Sequence, residues 1–179
     1  TNTVLLENVV ADNNDNHGIH INTAGNVTLK NAFADSNSVV NGYDGINITN
    51  TNGTGTISIT NSSSTNSGGK GYFIQSMKNV MINGITANEN GEDGVYIDNC
   101  QYDYGSSLCL GSGSVTIGGN LPNQFSDNDD NGLRVFSGGA VSLSYFNADD
   151  NTESGIYIEN DYPGRSGNVT INLTYTPAI

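Results

Sequence analysis

The sequence predicts an all-β chain folded as a right-handed parallel β-helix, a solenoid of about seven coils. Three observations predict it. A Gly-apolar-x-apolar string recurs along the chain, a second apolar string follows each copy, and an Ala-x-x-Asn pair keeps step with the second string.

The glycine-led strings are GIHI from Gly18, GINI from Gly45, GYFI from Gly71, GVYI from Gly94, GLRV from Gly132 and GIYI from Gly155. Their spacings are 27, 26, 23, 38 and 23 residues. The second strings start at Asn26, Thr56, Asn79, Ser114, Ala140 and Asn168, and VLLEN from Val4 belongs to an earlier, incomplete coil. Val4, Val27, Val80 and Val141 are each followed by an alanine seven residues later and an asparagine three after that. Phe125 and Asn128 fit the same pair, while Asn66 fits only with a one-residue slip.

Strand alternation puts Ile19 and Ile21, Ile46 and Ile48, Val95 and Ile97, Leu133 and Val135, and Ile156 and Ile158 on one face. One coil cannot bury that face. Stacked coils can, because like residues fall over like residues at a rise of ~4.8 Å. The core is then a narrow aliphatic column, which explains how a chain only 35% hydrophobic can fold. Turn asparagines are expected to form amide ladders between coils. The chain reads as one domain, 1–179, and the 38-residue spacing marks an insertion around 100–113.

Cys100 and Cys109 lie in that insertion, with eight residues between them. The Gly/Ser-rich loop suits a disulfide, which needs an oxidising compartment, so the expected location is extracellular or the cell surface. The balance of 18 acidic against 5 basic residues argues against nucleic acid and anionic membranes. No stretch is long and apolar enough to span a bilayer as a helix. With no signal peptide at Thr1, the chain is expected to be a mature form or a segment of a larger protein.

The strings GVYIDNCQYDYGSSLC, GSGSVTIGG and GIYIENDYPGRSGNVTI resemble the right-handed parallel β-helix repeats of large bacterial surface and secreted proteins, the pectate-lyase-like superfamily fold. The resemblance covers almost the whole chain. It implies the fold, and it leaves three roles open: polysaccharide-degrading enzyme, adhesin, or passive stalk.

Alternation places His20, Asn47, Phe73, Tyr96, Arg134 and Tyr157 in one outward column, beside Asn22, Thr49, Gln75, Asp98, Phe136 and Glu159. Phe73, Tyr96, Asp98, Arg134, Tyr157 and Glu159 are the candidate ligand-binding residues, since rings and carboxylates together suit a sugar chain. Stacking between neighbouring strands accounts for the same rings without a ligand.

The weak catalytic candidates are Asp93, Asp129 and Asp130. Asp93 resembles the acid before glycine in polygalacturonase-type hydrolases, and two carboxylates on neighbouring coils would serve as acid and base. The Gly-His-Gly and Arg-Ile-Lys motifs of those enzymes are absent. Asp127-x-Asp129-x-Asn131-Gly132 matches the opening of a calcium loop, so calcium is the candidate cofactor, although position twelve falls on Gly138. Asp and Asn also favour tight turns for conformational reasons alone.

Uncapped terminal coils expose strand edges, so end-to-end self-association or a longer parent chain is expected. The leading expectation is a non-catalytic, extracellular structural or adhesive β-helix segment. The alternatives are a glycan-binding module on the outward strand face and a polysaccharide hydrolase or lyase.

Overall fold

A computed structural model describes residues 2–38, 42–165 and 167–172. The repeat becomes two long parallel sheets that face each other across an aliphatic core. One contains Ile19–Asn22, Ile46–Asn50, Tyr72–Ser76, Val95–Asn99, Leu133–Ser137 and Ile156–Glu159, stacked in sequence order. The other stacks Val4–Val10, Val27–Phe33, Ile57–Ser63, Val80–Thr86, Val115–Ile117, Val141–Ser144 and Val169–Asn172. The result is a solenoid of about six turns. Val4–Val10 is the partial first coil that raises the count read from sequence to seven.

Register follows the repeat without slippage. Ile46 pairs with Tyr72, Tyr72 with Val95, Val95 with Leu133, and Leu133 with Ile156. On the opposite sheet Val27, Ile57, Val80, Val115 and Val141 stand in line. All these residues are buried except Ile156, which like Val4, Leu6 and Ile158 is half-buried at an end of the stack. Each interior isoleucine so covered contributes about 1.5–3 kcal/mol.

The third strand of each coil continues the second after a bend. Asn8, Asn31, Asn61, Gly84 and Tyr145 occupy the bend, all at positive φ between 48° and 70°. Asparagine tolerates this conformation better than most residues, and here its amide is used again. Asn61 Nδ2 donates to Asn31 Oδ1 at 2.7 Å, and Asn31 Nδ2 donates to Asn8 Oδ1 at 2.8 Å.

A second ladder runs inside the next corner, buried in its middle rungs. Asn14 Nδ2 donates to Asn37 Oδ1 at 2.9 Å, Asn90 Nδ2 to Asn128 Oδ1 at 3.0 Å, and Asn128 Nδ2 to Asn151 Oδ1 at 2.9 Å. These are the asparagines of the Ala-x-x-Asn register. Asn66 is not among them. It takes the positive-φ turn position beside the ladder, and Ser67 holds the ladder position instead, donating its backbone N–H to Asn90 Oδ1.

The 38-residue spacing divides in two. Relative to the preceding coil, twelve of its fifteen extra residues fall between Asn99 and Val115, and three between Val115 and Asn128. The larger piece carries a small antiparallel hairpin, Tyr102–Asp103 against Leu108–Cys109. The Cys100–Cys109 disulfide closes it, with Cα atoms 4.9 Å apart.

Candidate functional site

The hairpin leans over the last rungs of the glycine-led sheet and makes a cleft. Asp98 starts it. Its Oδ1 accepts the backbone N–H groups of Cys100 and Gln101 at 3.1 and 2.8 Å, and its Oδ2 accepts Gln101 Nε2 at 2.8 Å. The chain can therefore leave the strand at Gln101, which sits at φ +50°. Arg165, from the loop after the last glycine-led strand, holds the far end. Its Nε and a terminal nitrogen donate to Cys109 O at 3.0 and 2.7 Å, and the same terminal nitrogen reaches Leu110 O at 3.2 Å. Below them the disulfide packs with Tyr162, Tyr102 and Phe136 in a satellite apolar cluster.

The cleft has a volume of about 500 Å³. Its rings are Tyr96, Tyr102, Tyr104, Phe136 and Tyr162, and its carboxylates are Asp98, Glu159 and Asp161. Tyr102 meets Tyr104 edge-on with centroids 5.0 Å apart, and lies 5.7 Å from Tyr162. Tyr104 is 88% exposed, so a ring with little else to cover stands at the mouth. The Tyr162 hydroxyl is held protonated well above the usual tyrosine range, by burial first and then by the Glu159 carboxylate. The Tyr96 hydroxyl shifts the same way, through burial and then the Asp98 carboxylate.

The outward columns are arranged as strand alternation requires: Phe73, Tyr96, Arg134 and Tyr157 are successive partners across the rungs. Phe73 stacks on Tyr96 at 5.4 Å with an 18° tilt. The Arg134 guanidinium lies 5.9 Å from Tyr96, 5.2 Å from Phe136 and 5.3 Å from Tyr157. Of the six candidate ligand residues, Tyr96, Asp98 and Glu159 line the cleft. Phe73, Arg134 and Tyr157 buttress it through ring contacts, and cross-strand stacking of this kind stabilises neighbouring strands by itself.

Sequence reasoning missed Tyr102, Tyr104, Asp161 and Tyr162. A signal was present: the two irregular loops read QYDYG and NDYPG, concentrating tyrosine and aspartate outside the repeat.

The other candidates lie elsewhere. Asp93 is 1% exposed, and its Oδ1 accepts both the backbone N–H and the Nδ2 of Asn131, at 3.2 and 2.8 Å. Asn131 Nδ2 also reaches Glu153 Oε2 at 3.2 Å, so this amide ties three coils together. Asp129 is exposed and Asp130 half-buried, and none of the three acids lines the cleft. Asp127 is exposed at a positive-φ turn position while Asn131 is buried. Among the described residues no group of three His, Cys, Asp or Glu side chains is placed to hold a metal ion. No known protein family, curated protein or solved structure matches this chain.

Proposed function

We propose that this chain is a non-catalytic, extracellular adhesive module that holds a glycan in the cleft between the disulfide-closed hairpin and the glycine-led sheet. The observation that carries the reading is the cleft itself: five rings and three carboxylates, from the glycine-led strands and two irregular loops, converge on one opening. Tyrosine faces pack against the C–H faces of sugar rings, and carboxylates accept from sugar hydroxyls. A few polar groups in an aromatic lining are the usual composition of a ligand site. The disulfide supports an oxidising, extracellular setting. The resemblance to right-handed β-helix repeats of bacterial surface proteins supports the same setting, and we extend it to membership of that fold superfamily.

A glycan array probed with the wild type and with Tyr104→Ala tests this. Retention of an oligosaccharide class that falls about tenfold in the variant supports it, an aromatic contact contributing about 1–1.5 kcal/mol. No retention by the wild type overturns it. Reducing-end release from any polysaccharide, lost in Asp130→Asn, overturns the non-catalytic part.

One observation favours end-to-end assembly as a second property. Among the described residues, Val4–Val10 pairs only with Val27–Phe33, and Leu5 and Val10 are 59% and 67% exposed. An open strand edge is a template for another strand. Sedimentation at rising concentration tests it, and a single monomeric species throughout removes it.

A further inference from the structure

We infer that the cleft selects a glycan carrying protonated amines, a ligand class that rests on the glycan-binding reading above. The lining holds Asp98, Glu159 and Asp161 and no Lys, Arg or His. Arg134 is close by, but it is stacked among Tyr96, Phe136 and Tyr157, and its Nε is buried with no hydrogen-bond partner among the described residues. That cation is half-buried and stacked against rings, and it does not line the opening; nor do Lys70, whose Nζ lies 5.5 Å from the Tyr96 ring, and Arg165, tied to Cys109 O and Leu110 O. Two of the carboxylates already accept internal hydrogen bonds. Asp98 takes the donors of Cys100 and Gln101, and Glu159 takes the Tyr157 hydroxyl at 3.3 Å. These bonds share the negative charge without cancelling it. Asp161 is exposed at the rim.

The rings add to the same preference. Tyr96, Tyr102, Tyr104, Phe136 and Tyr162 surround the acids, and an aromatic face attracts a cation through its quadrupole. An ammonium group would therefore meet ring faces and carboxylates together. A uronic acid would meet three carboxylates along the lining, in a chain whose net charge is already −13.

The test is calorimetric titration with two oligosaccharides of equal length, a fully deacetylated glucosamine oligomer and its fully N-acetylated counterpart. The glucosamine oligomer should bind at least tenfold more tightly. Asp161→Asn should weaken it about fivefold, as loss of one charge pair at a partly exposed site implies. Asp129→Asn, which makes the same change in net charge away from the cleft, should leave it unaltered. Asp161 is exposed, so folding of that variant is not at issue. Equal binding of both oligomers, or tighter binding of the acetylated one, overturns the amine preference and leaves the glycan reading intact. Binding of neither, together with a silent array, overturns both. An equal loss in Asp129→Asn shows that bulk charge alone attracts the amine, and also overturns the proposal.

Discussion

The side-chain nitrogen of Asn128 stands 2.7 Å from the point where a β-carbon on Gly94 would lie. The carbonyl oxygens of Ala87 and Gly132 crowd the same point at the same distance. Gly132 repeats the arrangement one coil on, with Phe125 O at 2.5 Å and Asn151 Nδ2 at 2.6 Å. Glycine, asparagine and the alanine position are thus one packing unit: the asparagine amide crosses the corner in the space the glycine leaves. This is the physical basis of the Ala-x-x-Asn…Gly register.

Gly94→Ala should therefore destabilise the chain by about 1–3 kcal/mol, the cost of overpacking a filled interior. Gly105→Ala, in the hairpin loop, should be nearly neutral, because the nearest atom to its β-carbon is Asp103 Oδ1 at 3.4 Å. Urea unfolding of the two variants compares them, and equal midpoints would contradict the crowding argument.

The ladder is interrupted in one coil. Ser64 and Ser67 replace the usual alanine and asparagine, their hydroxyls lie 3.4 Å apart, and Asn37 Nδ2 is left buried with no partner among the described residues. The double variant Ser64→Ala/Ser67→Asn restores the pattern of the other coils and supplies Asn37 with an acceptor. It should gain about 1 kcal/mol, the usual net return on a satisfied buried donor. A lower melting temperature would show that this corner cannot admit the amide.

Tyr72 stands in an aliphatic column between Ile46 and Val95, fully buried, with its hydroxyl unpaired among the described residues. Tyr72→Phe should stabilise by about 1 kcal/mol through loss of an unsatisfied polar group. The same residue predicts an alkaline limit. Burial, and after it the Asp35 carboxylate, holds the hydroxyl protonated well above the ordinary tyrosine range. A group whose folded value is raised contributes its stability in full below the unfolded value, about 10, and loses it as pH rises beyond. The urea midpoint should fall above pH about 10, and fall less steeply in Tyr72→Phe. Tyr96 and Tyr162, raised in the same sense, keep part of the slope. Identical alkaline slopes in the two proteins would exclude Tyr72 as the cause.

Cys100→Ser/Cys109→Ser should open the hairpin and spare the solenoid. A crosslink closing so short a loop constrains the unfolded chain by about 2.5 kcal/mol, and that entropy belongs to the loop alone. Hydrogen exchange separates the two. The Gly111 amide, bonded to Cys100 O at 2.7 Å, should lose protection, while the Val95 amide, bonded to Gly132 O at 3.0 Å, keeps it. Loss of protection at both would make the disulfide part of the core.

The stack was legible because its causes are local and repeated. Val95, Leu133 and Ile156 announce a shared face by alternation, and their neighbours in space are the same positions one spacing away. The ladder was legible for Asn14, Asn37, Asn90, Asn128 and Asn151 for the same reason. It failed at Asn66, because an asparagine suits the positive-φ turn as well as the ladder, and only packing against Gly45 separates it from Ser67. The candidate cleft was half legible. Tyr96, Asp98 and Glu159 belong to the periodic strand face, whereas Tyr102, Tyr104 and Tyr162 lie in loops that obey no period.

By itself, then, the sequence determined an all-β solenoid, the register of its rungs, the polar corners and the place of the insertion. Each rests on strand geometry acting over a few residues and copied from coil to coil. Only the tertiary structure decided where the insertion leans. Asp98 launches the hairpin and Arg165, two coils later, ties down its end. Between those anchors the tyrosines of two distant loops close over the same three carboxylates, a meeting set by contacts across coils and not by any spacing along the chain.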